Sequence, residues 1–150
     1  MNYPNRDQQK NRWEQKGRKD DFEKEAQKIG EELSDLGNVN TETLINKAKV
    51  VGEKLEQNKL KMNQLRRFLD AVRRIESRIK DEDWENSQTD IILLRPKLAY
   101  AAGREPKVKP LMYVLDKAIQ SGARSKKNFE KLLRLIESIV AYHRFYGGKN

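Results

Sequence analysis

Apolar residues recur at helical spacing along most of the chain, and no stretch sustains the strict alternation of a half-buried strand. Phe22, Ala26, Ile29, Leu33 and Leu36 form one narrow stripe. That stripe predicts a helix over about 20–36, with acids in its first turn and Gly37 as its C-cap. A second helix begins at Thr41 and turns Leu44, Ala48, Val51 and Leu55 inward. Residues 58–62 read as a break, because Asn63 suits an N-cap better than a helix interior. The third helix, about 63–80, buries Leu65, Leu69, Val72 and Ile79 and carries Phe68 and Ile75 at the edge of its stripe.

The segment over 88–103 is apolar almost all round, which predicts a central position in a bundle. Pro96 lacks an amide hydrogen, so it either kinks this segment or marks the junction of two short helices, and Gly103 ends it. Lys97, Tyr100 and Arg104 form its one polar-tipped edge. Pro106 and Pro110 bracket a short basic loop, and Pro110 suits the first turn of a helix that ends near Ser121 and Gly122. Ser125 caps the last helix, which buries Phe129, Leu132, Leu133, Ile136, Ile139 and Val140 and stops at Gly147 and Gly148. The expected fold is all-α: a compact bundle of about five to six helices over residues 20–150, with no strands. Residues 1–19, polar and anchored only by Trp13, read as a flexible, partly disordered arm.

Composition narrows the class. Charged residues, at 37%, match the hydrophobic 36%, so much of the surface must be solvated helix face or tail. Without cysteine there are no disulfides or thiolate metal sites, which fits a reducing compartment. No apolar run approaches the roughly 18 residues of a membrane span, and the N-terminus lacks the apolar block of a signal peptide, so a cytoplasmic protein is expected.

The net charge of +9 is unevenly spread. Residues 1–62 are nearly balanced, with 13 basic and 12 acidic groups. Residues 63–80 carry six basic and two acidic groups; 81–90 carry five acids and no base; 91–150 carry thirteen basic and four acidic groups. Positive charge gathered into separate helices favours a polyanionic partner, against the plainer reading of solvated helix faces.

No catalytic set, resident metal or cofactor is expected. His143 is the lone histidine and falls on the apolar stripe of the last helix, near a C-terminus that favours its charged form. Asp81, Glu82, Asp83 and Glu85 lack the spacing and turn glycine of a calcium loop, so they read as a solvated cluster between helices. Tyr142, Phe145 and Tyr146 widen the last apolar arc; they complete the core, or they offer a surface to another subunit or to bases.

The basic stripes carry the functional signal. On the third helix Arg67, Arg74 and Arg78 point away from the core and Arg66 and Arg73 flank it. The planar fork of arginine suits phosphate oxygens. The candidate phosphate-binding set is Arg66, Arg67, Arg73, Arg74, Lys97 and Arg104, followed by Lys107, Lys109, Lys126 and Lys127. No base-reading motif accompanies them, so contact with the backbone is expected. A helix-turn-helix DNA regulator fits poorly, because no tight helix pair leads into a polar recognition helix.

Two stretches are more distinctive than this pattern. Leu94 to Arg104 (LRPKLAYAAGR) and Ile139 to Gly148 (IVAYHRFYGG) resemble the two signature segments of the small helical subunit of the type III-A CRISPR effector, the Csm complex. Leu65-Arg66-Arg67-Phe68 is similar to the start of that family's arginine-bearing helix. The likeness spans about 63–148, and nothing is carried over to residues 1–40. It implies a non-catalytic helical protein present in several copies, aligned as an inner filament beside guide RNA and paired target RNA in antiviral defence. Its neighbours would be the backbone subunit, which cuts target RNA, and the large subunit, which cuts DNA and makes cyclic nucleotides. A protein–protein assembly adaptor with no direct RNA contact is the alternative.

Overall fold

Asn5 starts the first helix: its side chain accepts from the Gln8 amide at 2.8 Å while the Gln8 side chain reaches back to the Asn5 amide. The computed structural model describes residues 5–79 and 83–150. Helix α1 (Arg6–Glu32) thus extends well N-terminal of the apolar stripe. Residues 6–18 are all exposed, and burial begins at Phe22. Glutamine, lysine, arginine and glutamate are good helix formers, so helical backbone continues where burial has ceased.

α1 ends at Glu32, not at Gly37. Leu36 is still buried, from a single 3-10 turn over Leu36–Asn38. Its amide donates to Ser121 Oγ at 2.9 Å and its carbonyl accepts from Lys131 Nζ at 2.9 Å. Side chains from two later helices therefore satisfy this turn, and no left-handed glycine cap is needed.

Asn40 caps α2 (Thr41–Gln57) by accepting from the Thr43 amide at 2.8 Å, and all four predicted inward residues are buried. Lys59, in the left-handed region at φ 65°, turns the chain into α3 (Met62–Ile79). α3 starts one residue before Asn63, because Met62 is buried and its amide donates to the Lys149 carbonyl at 2.9 Å. Ile75 is fully buried and Ile79 only half-buried, the reverse of the predicted edge.

Asp83 caps α4 (Trp84–Ile92), and α5 (Leu94–Arg104) follows directly. Pro96 therefore separates two helices: the amide hydrogen it lacks would have bonded the carbonyl of Ile92, where α4 ends. The predicted central position for this segment is wrong. Ile91, Leu94, Leu98 and Ala102 are buried, but Ile92, Leu93 and Tyr100 are exposed, Tyr100 by 68%. Two short helices each bury one side only.

The centre belongs to α6 (Lys109–Gly122) and α7 (Lys126–Phe145). α6 packs against α1, α5 and α7, while α7 packs against α2, α3 and α6. A 3-10 turn over Pro106–Val108 replaces the predicted loop before α6, and Ser125 caps α7 as its sequence implies. Seven α-helices and no strand occur among the described residues, and none of these helices is long and apolar enough to cross a membrane. On the outside, Lys54 pairs with Glu25 and Lys47 with Glu32 between α2 and α1, while Lys117 of α6 pairs with Glu31. Glu25, Glu31 and Glu32 are thus committed to lysines of the bundle itself.

α2 crosses α7 at Gly52. A Cβ there would lie 2.8 Å from both the Ile139 carbonyl oxygen and the His143 amide nitrogen. One turn further on, His143 is fully buried, and its Nε2 donates to the Leu60 carbonyl at 2.7 Å. Burial pushes the His143 imidazole below its usual pKa of 6.5, outweighing the Leu60 hydrogen bond and the charge of Glu56. The charged form expected at a helix C-terminus is therefore not favoured here.

Two outcomes follow from this crossing. Gly52→Ala should lower stability by about 1–3 kcal/mol in urea denaturation, although alanine is the better helix former, because backbone must move to admit the methyl. Gly17→Ala, where a Cβ meets nothing within 4 Å, should not lower it. As pH falls below 6.5, the unfolded chain takes up a proton that folded His143 refuses until its own lower pKa is reached. Stability should therefore be complete above that pH and decline below it, and His143→Gln should flatten the decline in denaturation midpoints measured from pH 7.5 to 5.5.

Candidate nucleic-acid interface

The helical register of α3 divides its arginines between two sides of one exposed face. Arg66, Arg67, Arg73, Arg74 and Arg78 are all exposed. Arg73 leans toward α7, where its guanidinium lies 3.8 Å from Glu137, a carboxylate that also faces Arg134 at 3.7 Å. Both arginines remain more than half exposed, so these pairs are weak and leave the cations available.

On the other side Arg74 and Arg78 form one wall of an open groove of about 580 Å³. Asp90 of α4 and Lys97 of α5 form the opposite wall, and Ile75 and Leu94 lie between them. Arg78 faces Asp90 at 3.6 Å, which offsets part of its charge. Arg74 and Lys97 make no ion pair among the described residues, so the groove keeps a net positive potential.

Lys97 continues into the ridge of α5. Arg104 lies over the Tyr100 ring at 5.9 Å, a cation–π arrangement that holds both side chains on the exposed edge. Leu93, Pro96 and Tyr100 give the same edge an apolar notch next to Lys97. Arg95 has a different use. It makes a two-pronged bond with Asp116 of α6, at 3.0 Å through each of two nitrogens, and that pair raises its pKa further.

The remaining predicted residues are not brought to the groove. Arg67 shares a helix face with Arg74 but lies about 10 Å nearer the start of α3, beyond the groove's lining, and Arg66 sits beside it. Lys107 is exposed in the turn before α6, and Lys109 is half-buried at the start of that helix. Lys126 and Lys127 are exposed at the start of α7, beside the Leu36 turn that Lys131 ties down. α3 and α7 run antiparallel, since Met62 meets Lys149 and Arg73 meets Glu137. The α7 lysines therefore lie toward the far end from Arg66.

Arg78 is not in the candidate set, yet it stands one turn beyond Arg74 on the same stripe. The helical register suffices to find it. Asp90 carries no such signal, because its place in the groove depends on how α4 packs against α3.

At the C-terminus, Phe145 is 76% exposed and packs edge-on against Tyr146, with ring centroids 5.1 Å apart. Tyr142 and Tyr146 are half-buried. Phe145 thus does not complete the core. Of the acidic cluster, Asp81 and Glu82 lie outside the described residues, Asp83 accepts from the Asn86 amide at 3.2 Å as a helix cap, and Glu85 is exposed.

The sequence model of the family Csm2 Type III-A matches residues 38–149. A protein of Streptococcus thermophilus described as "CRISPR system Cms protein Csm2" is 32% identical over 95 residues, which covers 61% of this chain and 76% of that protein. The match takes in α2 to α7, both distinctive sequence segments and the groove between α3 and α5, so the chain belongs to the Csm2 family of small subunits of the type III-A Csm complex.

Proposed function

We propose that this chain catalyses nothing itself and holds the phosphate backbone of target RNA, or of the guide–target duplex, along α3 and α5 inside the Csm complex. The observation that carries this reading is the convergence of Arg74 and Lys97, from two different helices, on one open and otherwise weakly countered groove. An open, exposed groove suits continuous backbone, and arginine forks suit phosphate without reading bases. Arg66, Arg67 and Arg73 extend the contact along α3, and Arg104 extends it along α5. Lys107, Lys109, Lys126 and Lys127 give weaker, peripheral attraction.

Each copy would make a few phosphate contacts only, so a single copy binds weakly and loses affinity steeply with salt. Copies aligned in a row make later contacts effectively intramolecular, and avidity then exceeds single-site affinity. The exposed apolar residues Ile92, Leu93, Tyr100 and Phe145 suit the protein contacts that such a row requires, with neighbouring copies and with the backbone and large subunits. The same surface supports the alternative, an adaptor that touches proteins alone. No catalytic role is assigned to the one histidine, which is buried and bonded to Leu60. The reading needs no cofactor and places the protein in the cytoplasm.

Charge reversal tests the groove. Complexes carrying Arg67→Glu with Arg74→Glu should retain target RNA less well, and adding Lys97→Glu should weaken retention further. The slope of log affinity against log salt should flatten by about 0.7–0.9 for each phosphate that is no longer neutralised. All three positions are exposed, so the thermal midpoint should hold. Unchanged retention by the triple variant sinks the groove, and RNA crosslinks confined to other subunits favour the adaptor.

A further inference from the structure

Among the described residues, Trp13 is the most exposed large apolar side chain, at 78%. It lies on the part of α1 that precedes Phe22, where nothing is buried, and outside the residues that the family match covers. α1 packs against α6 from Phe22 onward, so Arg6–Lys19 forms the free end of a continuous helix, about 20 Å long. The Asn5–Gln8 capping box closes its tip.

The chemistry of this free end is specific. Residues 6–19 carry six basic and two acidic groups and a single large apolar residue. Helical register sets Arg6 and Lys10 on the same face as Trp13, with Lys16 beside it. Gly17, one turn beyond Trp13, has no side chain and no neighbour within 4 Å of where a Cβ would stand. Helical side chains lean toward the N-terminus, so a residue at position 17 with a long side chain would cover the indole, and glycine leaves it open.

Partner classes can be separated on these features. A helix that docks in a protein groove needs several apolar anchors at successive turns, and this segment has one. A membrane-surface helix needs a wide apolar face, which is also missing. A second copy of the chain would bring its own net charge of +9 against a segment that is itself basic. One open aromatic ring among cations is the arrangement that stacks on a nucleobase while neighbouring cations hold the adjoining phosphates. Bases inside a duplex have both faces covered by their neighbours, so only an unpaired strand can offer one.

We infer that the free end of α1 is a second RNA contact, selective for unpaired strand, in which Trp13 stacks on a base and Arg6, Lys10 and Lys16 meet flanking phosphates. It takes from the proposed function only that the chain works on RNA, and it shares no residue with the lining of the α3–α5 groove. Trp84 is the other tryptophan, so a full-length Trp84→Phe protein reports on Trp13 alone.

The test is to titrate that protein with a single-stranded oligouridine and with a blunt RNA duplex of equal length, following indole fluorescence. The single strand should quench Trp13 strongly and the duplex weakly. Trp13→Ala should weaken single-strand affinity about tenfold, with partial recovery in Trp13→Phe, and should leave duplex affinity unchanged. Lys10→Glu with Lys16→Glu should flatten the salt dependence. Absence of quenching, or equal single-strand affinity in Trp13→Ala, overturns the proposal. So does a Trp13→Ala protein whose RNA affinity holds while light scattering shows weakened self-association, which would assign this face to a protein partner. Quenching that survives in the Arg67→Glu, Arg74→Glu, Lys97→Glu background alongside undiminished RNA retention would sink the groove and leave the α1 contact standing.

Discussion

A methyl group at position 52 would stand 2.8 Å from two backbone atoms of α7, so α2 and α7 reach their separation only because glycine occupies that crossing. One turn along α7, His143 closes the same contact by donating to the carbonyl of Leu60, the residue that follows the left-handed turn at Lys59. This polar bond inside an apolar crossing fixes where α2 stops and where the chain reverses. Burial at this crossing, against the pull of that bond, disfavours the charged imidazole, since a charged ring there would lose its hydration for one hydrogen bond.

The surface follows from that closure. With the end of α7 held beside Leu60, the chain enters α3 where the Met62 amide can bond the Lys149 carbonyl, and α3 then runs antiparallel to α7. Its buried stripe is thereby turned inward and its arginines outward. Arg73 falls on the α7 side and Arg74 on the side of α4 and α5, so one helix presents cations to two neighbouring surfaces. Lys97 reaches Arg74's groove because Pro96 ends α4 and lets α5 set off as a separate helix. Arg95, next to that proline, ties α5 to Asp116 and keeps that wall in place. Glu25, Glu31 and Glu32, meanwhile, are paired to lysines on α2 and α6, and none of them lines the groove.

The departures from the sequence pattern share one cause. The segment over 88–103 has the composition of a central helix because it is apolar all round, yet Ile92, Leu93 and Tyr100 are exposed. Apolar content measures what a helix could bury, and packing partners set what it does bury. Gly37 resembles a helix cap, but Ser121 and Lys131, distant in sequence, satisfy that turn. In each case the missing information is a contact with a residue far along the chain.

Local periodicity and capping are legible in the residues because their physics is local. Phe22 to Leu36, Leu44 to Leu55 and Phe129 to Ile139 lie on the implied stripes, and Asn40 and Ser125 cap the helices that follow them. From the order of residues alone come an all-helical chain, the outward face of the α3 arginines and the two segments that mark the family. Packing between helices is what brings Arg74 and Lys97 into one groove, leaves Lys107, Lys109, Lys126 and Lys127 outside it, and keeps His143 buried and neutral. A helix's own register sets which side a residue faces, and that register is established within a few residues. Which other helix meets that side depends on close approaches such as Gly52 on α7, and these join positions nearly a hundred residues apart.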